Sequence, residues 1–188
     1  ELINTFTIER IGKAGTKFDI HKAQWFNQQY LRAKSNEELA SYLLDSLKAE
    51  HIDCSQDKAV KVVAIMKERV TFPKDFWEQG KFLFVAPTTF DENIAGKKWN
   101  DESVKVLASY QEAIAALPSF DATIAKSTLE EVTTNLGITI GKILQALRLS
   151  ITGAGIGPDL MIIMEIIGKD EVVRRLDFAL HTLKVRVG

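Results

Sequence analysis

Arg148 ends an otherwise apolar helix-like run and stands just ahead of a glycine cluster, Gly153-Ala154-Gly155-Ile156-Gly157. A guanidinium there is planar, permanently charged and forked, the geometry that grips a phosphate or the edge of a nucleic-acid base. Lys67 and Arg69 form one small basic cluster, and Lys142 with Arg148 another. Most lysines and arginines simply solvate a helix face, so these positions matter only where the fold gathers them beside a cleft. The glycine cluster has the content of a phosphate-cradling loop. Its context is wrong for one, because it follows a helical stretch and Pro158 stands where the last glycine would be. A helix–helix turn is the reading its context supports.

Other chemistries find little purchase. His21, His51 and His181 are scattered without metal-ligand spacing, and the single Cys54 has no Cys-X-X-Cys mate, so neither a metal site nor a disulfide framework is expected. His51 and Cys54 are close enough in sequence for a thiolate pair, although such a spacing is far more often a loop than a catalytic site. The pairs Glu37-Glu38 and Glu130-Glu131 read as first-turn acids that complement a helix dipole. No catalytic residue is expected.

The elements that must position the basic clusters are helices. Apolar residues recur at three- and four-residue steps, with scarcely any two-residue alternation, which predicts an all-α protein. The first helix follows Asp19 and presents Trp25, Phe26 and Tyr30 as core or groove aromatics. Ser35 with Glu38 makes a capping box ahead of the stripe Leu39, Leu43, Leu47, and the helix stops near His51. Ser55 caps a third helix with Ala59, Val62, Val63 and Met66 inward and Lys61, Lys67 and Arg69 outward. Pro73 opens a short helix that Gly80 ends, and residues 86–98 read as the longest loop. Asn100 caps the next helix, and the break at Leu117-Pro118-Ser119-Phe120 marks a domain border, giving segments 1–117 and 118–188. Beyond it, Ser127 with Glu130 reads as a second capping box. Ile140 to Ile151 form a helix closed by Gly153, Pro158 starts another that Gly168 ends, and Val172, Leu176 and Ala179 stripe the last.

Composition sets bounds but suggests no partner. The 188 residues are 46 % apolar, enough for a true core, and 24 Lys plus Arg nearly balance 25 Asp plus Glu. Any nucleic-acid contact therefore depends on local clustering. Residues 1–34 offer one, since Arg10, Lys13, Lys17, Lys22, Arg32 and Lys34 face only Glu1, Glu9 and Asp19. The longest apolar run, Leu160 to Ile167, is too short to cross a bilayer, so no membrane partner is expected. The absence of a charged-then-apolar leader at Glu1 reads as an excised piece without a signal peptide, and the single cysteine fits a reducing cytoplasm.

Two stretches carry a family resemblance. Leu147-Arg148-Leu149-Ser150-Ile151-Thr152-Gly153, continuing through Gly157-Pro158-Asp159-Leu160 to Gly168-Lys169-Asp170-Glu171-Val172-Val173-Arg174-Arg175-Leu176, resembles the C-terminal anticodon-binding region of bacterial glutamyl-tRNA synthetases. Ile8 to Asp19, followed by Trp25-Phe26-Asn27-Gln28-Gln29-Tyr30-Leu31-Arg32, is similar to that family's stem-contact region. The resemblance implies two consecutive helical bundles forming an anticodon-binding cage. In the family's Leu-Arg-X-X-Leu-Thr-Gly pattern the arginine falls on Arg148, with Ile151 in place of the usual leucine. Pocket-lining positions fall on Gly157, where contact could only be through backbone, and on Leu160. The basic anticodon-reading stretch falls around Lys67 and Arg69, and Glu130 stands near a place where some relatives carry arginine.

The implied function is recognition of the anticodon of tRNA(Glu), with Arg10, Lys13 and Lys17 holding the tRNA backbone at its inner corner. No DNA partner is implied, and the parent would be a cytoplasmic monomer. Neither His-Ile-Gly-His nor Lys-Met-Ser-Lys-Ser occurs here, so the ATP- and Mg-dependent ligation of glutamate would belong to a catalytic domain outside this piece. A glutamine-accepting or dual-specificity relative of that synthetase is a further reading, which would differ in its tolerance at one anticodon position. A helical protein-interaction module without RNA binding fits the composition and periodicity equally well.

Overall fold

The computed structural model describes residues 19–185. In chain order its helices are α1 (Ile20–Ala33), α2 (Asn36–Ala49), α3 (Gln56–Met66), α4 (Asp75–Glu78), the 3₁₀ turn η1 (Lys81–Leu83), α5 (Glu92–Lys98), α6 (Asp101–Ala115), α7 (Ala122–Asn135), α8 (Ile140–Thr152), α9 (Leu160–Ile167) and α10 (Lys169–Thr182). No strand occurs among the described residues. The chain is all-α, as its periodicity predicts.

Capping chemistry sets most boundaries. The Ser35 hydroxyl accepts from the Glu38 amide and the Glu38 carboxylate from the Ser35 amide, both at 3.1 Å, completing the expected box. Ser55 accepts from the Lys58 amide at 3.2 Å, and Asn100 from the Ser103 amide at 2.9 Å. His51, at φ 58, turns the chain after α2.

At three places the expected boundaries move and an aspartate caps the observed helix start. Asp121 accepts from the Ile124 amide at 2.8 Å and starts α7 early, so Ser127 lies within the helix and donates to the Ile124 carbonyl at 3.1 Å. Asp159 caps α9 through the Met161 and Ile162 amides at 2.9 and 3.1 Å, leaving Pro158 before the helix. Asp91, bonded by the Asn93 and Ile94 amides at 2.9 and 3.0 Å, starts α5 inside the expected loop. That helix is short, contains Gly96 and buries no residue, so it has no apolar stripe for a periodicity argument to find.

Packing runs α2 on α3, α6 on α7 and α10, α9 on α7, and α8 against α5, α6 and α10. One cluster of buried side chains, from Leu31 to Ala179, spans the break after Leu117. It includes Trp99 and Tyr110, whose polar atoms donate to the Leu183 carbonyl at 3.2 Å and the Ala125 carbonyl at 2.7 Å. Across the break, Lys61 of α3 meets Glu165 of α9 at 2.8 Å, and the other Glu165 oxygen accepts from the Ala122 amide at 3.2 Å. Helix α1 stands apart. It buries only Leu31 and is tethered by Asn27 and Gln28 to Thr71 and by Arg32 to Glu68. Its aromatics, expected in a core or groove, are exposed, Trp25 at 54 % and Tyr30 at 71 %.

Candidate nucleic-acid interface

Helix α8 turns Ile143, Leu147 and Ile151 into the core. Ile140, Leu144 and Arg148, spaced by four and therefore stacked on an adjoining face, line a cleft of about 420 Å³. Lys126 and Glu130 of α7, with Asp159, Leu160 and Met161 at the start of α9, form the remaining walls. The volume lies in the range of pockets that enclose small ligands, about 300–1,000 Å³.

Arg148 is half-buried, and its Nη1 is sealed from solvent without a hydrogen-bond partner. Such a donor is costly to leave unpaired, by about 1–3 kcal/mol. Burial pushes the guanidinium below the usual arginine value, Asp159 opposes that shift and Arg69 adds to it. Arginine ionises so high that the group stays charged at neutral pH. Its Nη1 lies against Gly157, 2.9 Å from where an alanine Cβ would stand. On that same residue Arg69 Nη2 donates to the Gly157 carbonyl at 2.9 Å. Arg69 also lines a second hollow of about 320 Å³ with Gln79, Phe82, Ile156, Gly157 and Pro158. The two arginines thus address one turn, whose tip presents the 86 % exposed Ile156.

The turn is held from both sides. Gly153 adopts φ +76, where a side chain would be strained, and a Cβ there would lie 2.8 Å from the Thr89 carbonyl oxygen. Its carbonyl accepts from the Asp91 amide at 2.9 Å. The Thr152 hydroxyl donates to the Arg148 carbonyl at 2.9 Å and accepts from the Ala154 amide at 3.3 Å.

Of the residues singled out from sequence, the structure brings together Arg69, Arg148, Gly157 and Leu160, the last buried. Lys67 is placed elsewhere: its amine donates to the Lys34 carbonyl and lies 3.4 Å from Asn36 Oδ1, closing the turn between α1 and α2. Lys142 pairs with Glu102 at 3.6 Å, away from the cleft. Arg10, Lys13 and Lys17 lie outside the described residues. Residue type alone does not mark Lys126, Ile140, Leu144, Asp159 and Met161 as lining the cleft, although the spacing of Ile140, Leu144 and Arg148 carries the signal. Gln79 and Phe82 have no such signal, since they reach the turn only through the tertiary fold. No group of His, Cys, Asp and Glu suited to a metal ion occurs among the described residues, and no helix there is long and apolar enough to cross a membrane.

Fold and site together are those of a helical cage around a cleft walled by apolar and charged side chains, Arg148 among them. A family model described as an anticodon binding domain matches residues 29–180, and the chain belongs to that family. It is 50 % identical to a glutamate–tRNA ligase of Cytophaga hutchinsonii over 188 residues, 100 % of this chain and 36 % of that protein. A second glutamate–tRNA ligase, from Amoebophilus asiaticus, is 41 % identical and matches 97 % of this chain and 36 % of its own length. The crystal structure of a glutamate tRNA ligase from Elizabethkingia meningosepticum superposes with a TM-score of 0.89 at 40 % identity, over 97 % of this chain and 36 % of that one. The chain therefore spans about a third of the length of the relatives it matches.

Proposed function

We propose that the chain reads the anticodon of tRNA(Glu) as the anticodon-binding part of a glutamate–tRNA ligase. The placement of Arg148, whose buried Nη1 lacks a hydrogen-bond partner, on a cleft that Ile140, Leu144, Leu160 and Met161 also line carries this reading, supported by the family and by relatives named for that activity. Unstacked bases would enter between α7, α8 and the start of α9. There apolar side chains cover their faces while Arg148 and Arg69 donate to their edges. Leu160 floors the cleft, and Gly157 leaves the space that Arg148 occupies. Arg10, Lys13 and Lys17 would supply phosphate contacts that add affinity without reading sequence. Lys67 acts on this reading through the α1–α2 turn that it closes.

Glutamate ligation, with its ATP and Mg, would belong to a part of the relatives' length that this chain does not span, and the whole would act as a cytoplasmic monomer. The two segments meeting near residue 117 would serve as two subdomains of one cage, with α6 packed across their border. Gel-shift titration with transcribed tRNA(Glu) and with a tRNA of different anticodon tests the proposal. Tighter binding of tRNA(Glu) is expected. Equal binding of both, or none, would favour a protein-interaction module instead.

A further inference from the structure

Arg175 heads the fully buried side chains in size and is only 2 % exposed. A guanidinium taken out of water needs its charge countered and its N–H groups paired. Here Nε donates to Glu171 Oε1 at 2.7 Å, while Nη1 donates to the Ile151 carbonyl at 2.8 Å and the Phe82 carbonyl at 2.7 Å. Burial lowers its pKa and Glu171 opposes that shift. An apolar side chain of similar volume could fill the space at less electrostatic cost. What it could not do is join two carbonyls from distant parts of the chain.

Those two carbonyls belong to the site. Ile151 lies in the last turn of α8, where carbonyls lack partners within the helix and a cation complements the helix dipole. Arg148 precedes it by one turn of helix, and Gly153 follows directly after Thr152. Phe82 lies in η1 and lines the second hollow beside Arg69 and Gln79. The Glu171 carboxylate that holds Arg175 is itself braced by Arg174 through two bonds of 2.8 Å.

We propose that Arg175 is a positioning residue of the RNA site, holding the end of α8 and its glycine turn in register with η1, so that Arg148 and Arg69 present their donors together. This rests on the anticodon-binding function proposed above. It assigns to a side chain that no RNA can reach a share in the affinity for one.

The test is a double-mutant cycle between Arg175→Lys and Arg148→Ala in the 188-residue chain. Affinity for an anticodon-arm stem-loop is read by fluorescence anisotropy, with circular dichroism confirming the fold well below each Tm. Lysine keeps the charge but has one terminal nitrogen and no Nε–H, so it cannot hold Glu171 through Nε while a rigid planar end meets both carbonyls. Arg175→Lys is expected to weaken binding about tenfold. In the Arg148→Ala background it should cost only about twofold, because both changes act on one contact. Unchanged affinity, or the same loss in both backgrounds, overturns the proposal. Should Arg175→Lys fail to fold, Arg175→Met, which fills the space but removes both carbonyl bonds, is judged by the same cycle. Failure of the underlying function looks different: the unsubstituted chain would then bind the stem-loop no better than one of unrelated loop sequence.

Discussion

Adding one methyl group at Gly157 perturbs the critical arginine without altering it. In Gly157→Ala the new Cβ would stand 2.9 Å from Arg148 Nη1, closer than such atoms pack, with no other heavy atom of a non-neighbouring residue within 4 Å. The backbone there is outside the left-handed region, so alanine itself is unstrained. What yields is the end of a flexible side chain, and folding free energy should change by less than about 0.5 kcal/mol. Binding should suffer more. A bidentate guanidinium–base contact contributes about 1–3 kcal/mol, and displacing the fork while keeping its charge should lose about 1 kcal/mol, roughly fivefold in Kd. Anisotropy titration with an anticodon-arm stem-loop, beside urea melts of the same samples, separates the two effects. Gly153→Ala is the control: at φ +76, with a Cβ 2.8 Å from the Thr89 carbonyl oxygen and 2.9 Å from Pro87 Cβ, the surroundings cannot yield cheaply. It should destabilise the fold by more than about 1 kcal/mol. The reasoning is refuted if Gly157→Ala binds like the unsubstituted chain, or if it unfolds as readily as Gly153→Ala.

Other consequences follow from the charges. Replacing Lys13 or Lys17 by alanine should lower affinity evenly across tRNAs and reduce the slope of log K against log salt by about one or less per lost phosphate contact; a loss confined to one anticodon would contradict that. Glu165 is held below the usual glutamate range by its bonds from Lys61 and the Ala122 amide. Burial works to raise Glu171, but its bonds from Arg174 and Arg175 outweigh it and hold the group low. Because both folded-state values are depressed, their stabilisation is fully present above the unfolded glutamate value of about 4.3 and is lost as pH falls through the lowered values. Urea unfolding between about pH 6 and pH 3 should show that decline, and Glu171→Gln should flatten it; an equally steep profile in the variant would count against the ion pairs.

Much of this molecule is legible along the chain because it is built from local rules. The capping box at Ser35 and Glu38 and the caps at Ser55 and Asn100 sit where the residue types place them, and of the α8 stripe Ile143, Leu147 and Ile151 enter the core while Ile140 and Leu144 line the cleft. Local rules fail where an aspartate, not the expected residue, caps the helix start. Asp121 and Asp159 each displace a boundary by starting or delaying a turn, and Asp91 nucleates a helix too short to show a period. At the site, Arg148, Gly157 and Leu160 are marked by one contiguous motif. Arg69 and Lys67 look alike in sequence, only two positions apart on the outward side of α3 and its exit. The fold sends one to the Gly157 carbonyl and the other to the α1–α2 turn, a distinction of tertiary path that residue type cannot encode. Arg175 is subtler still. Its i,i+4 spacing from Glu171 suggests an ordinary surface pair, and only the packing of α10 on α6 and α8 buries it.

The most direct test of the account is the discrimination between two anticodon-arm stem-loops that differ only in their loop bases, measured for the unsubstituted chain and for Arg148→Ala. The unsubstituted chain should prefer the tRNA(Glu) loop, and Arg148→Ala should lose about 1–3 kcal/mol of that preference while staying as stable as before or slightly more, since a buried unpaired donor has been removed. Undiminished discrimination by a folded Arg148→Ala protein would contradict the claim that this guanidinium reads the base.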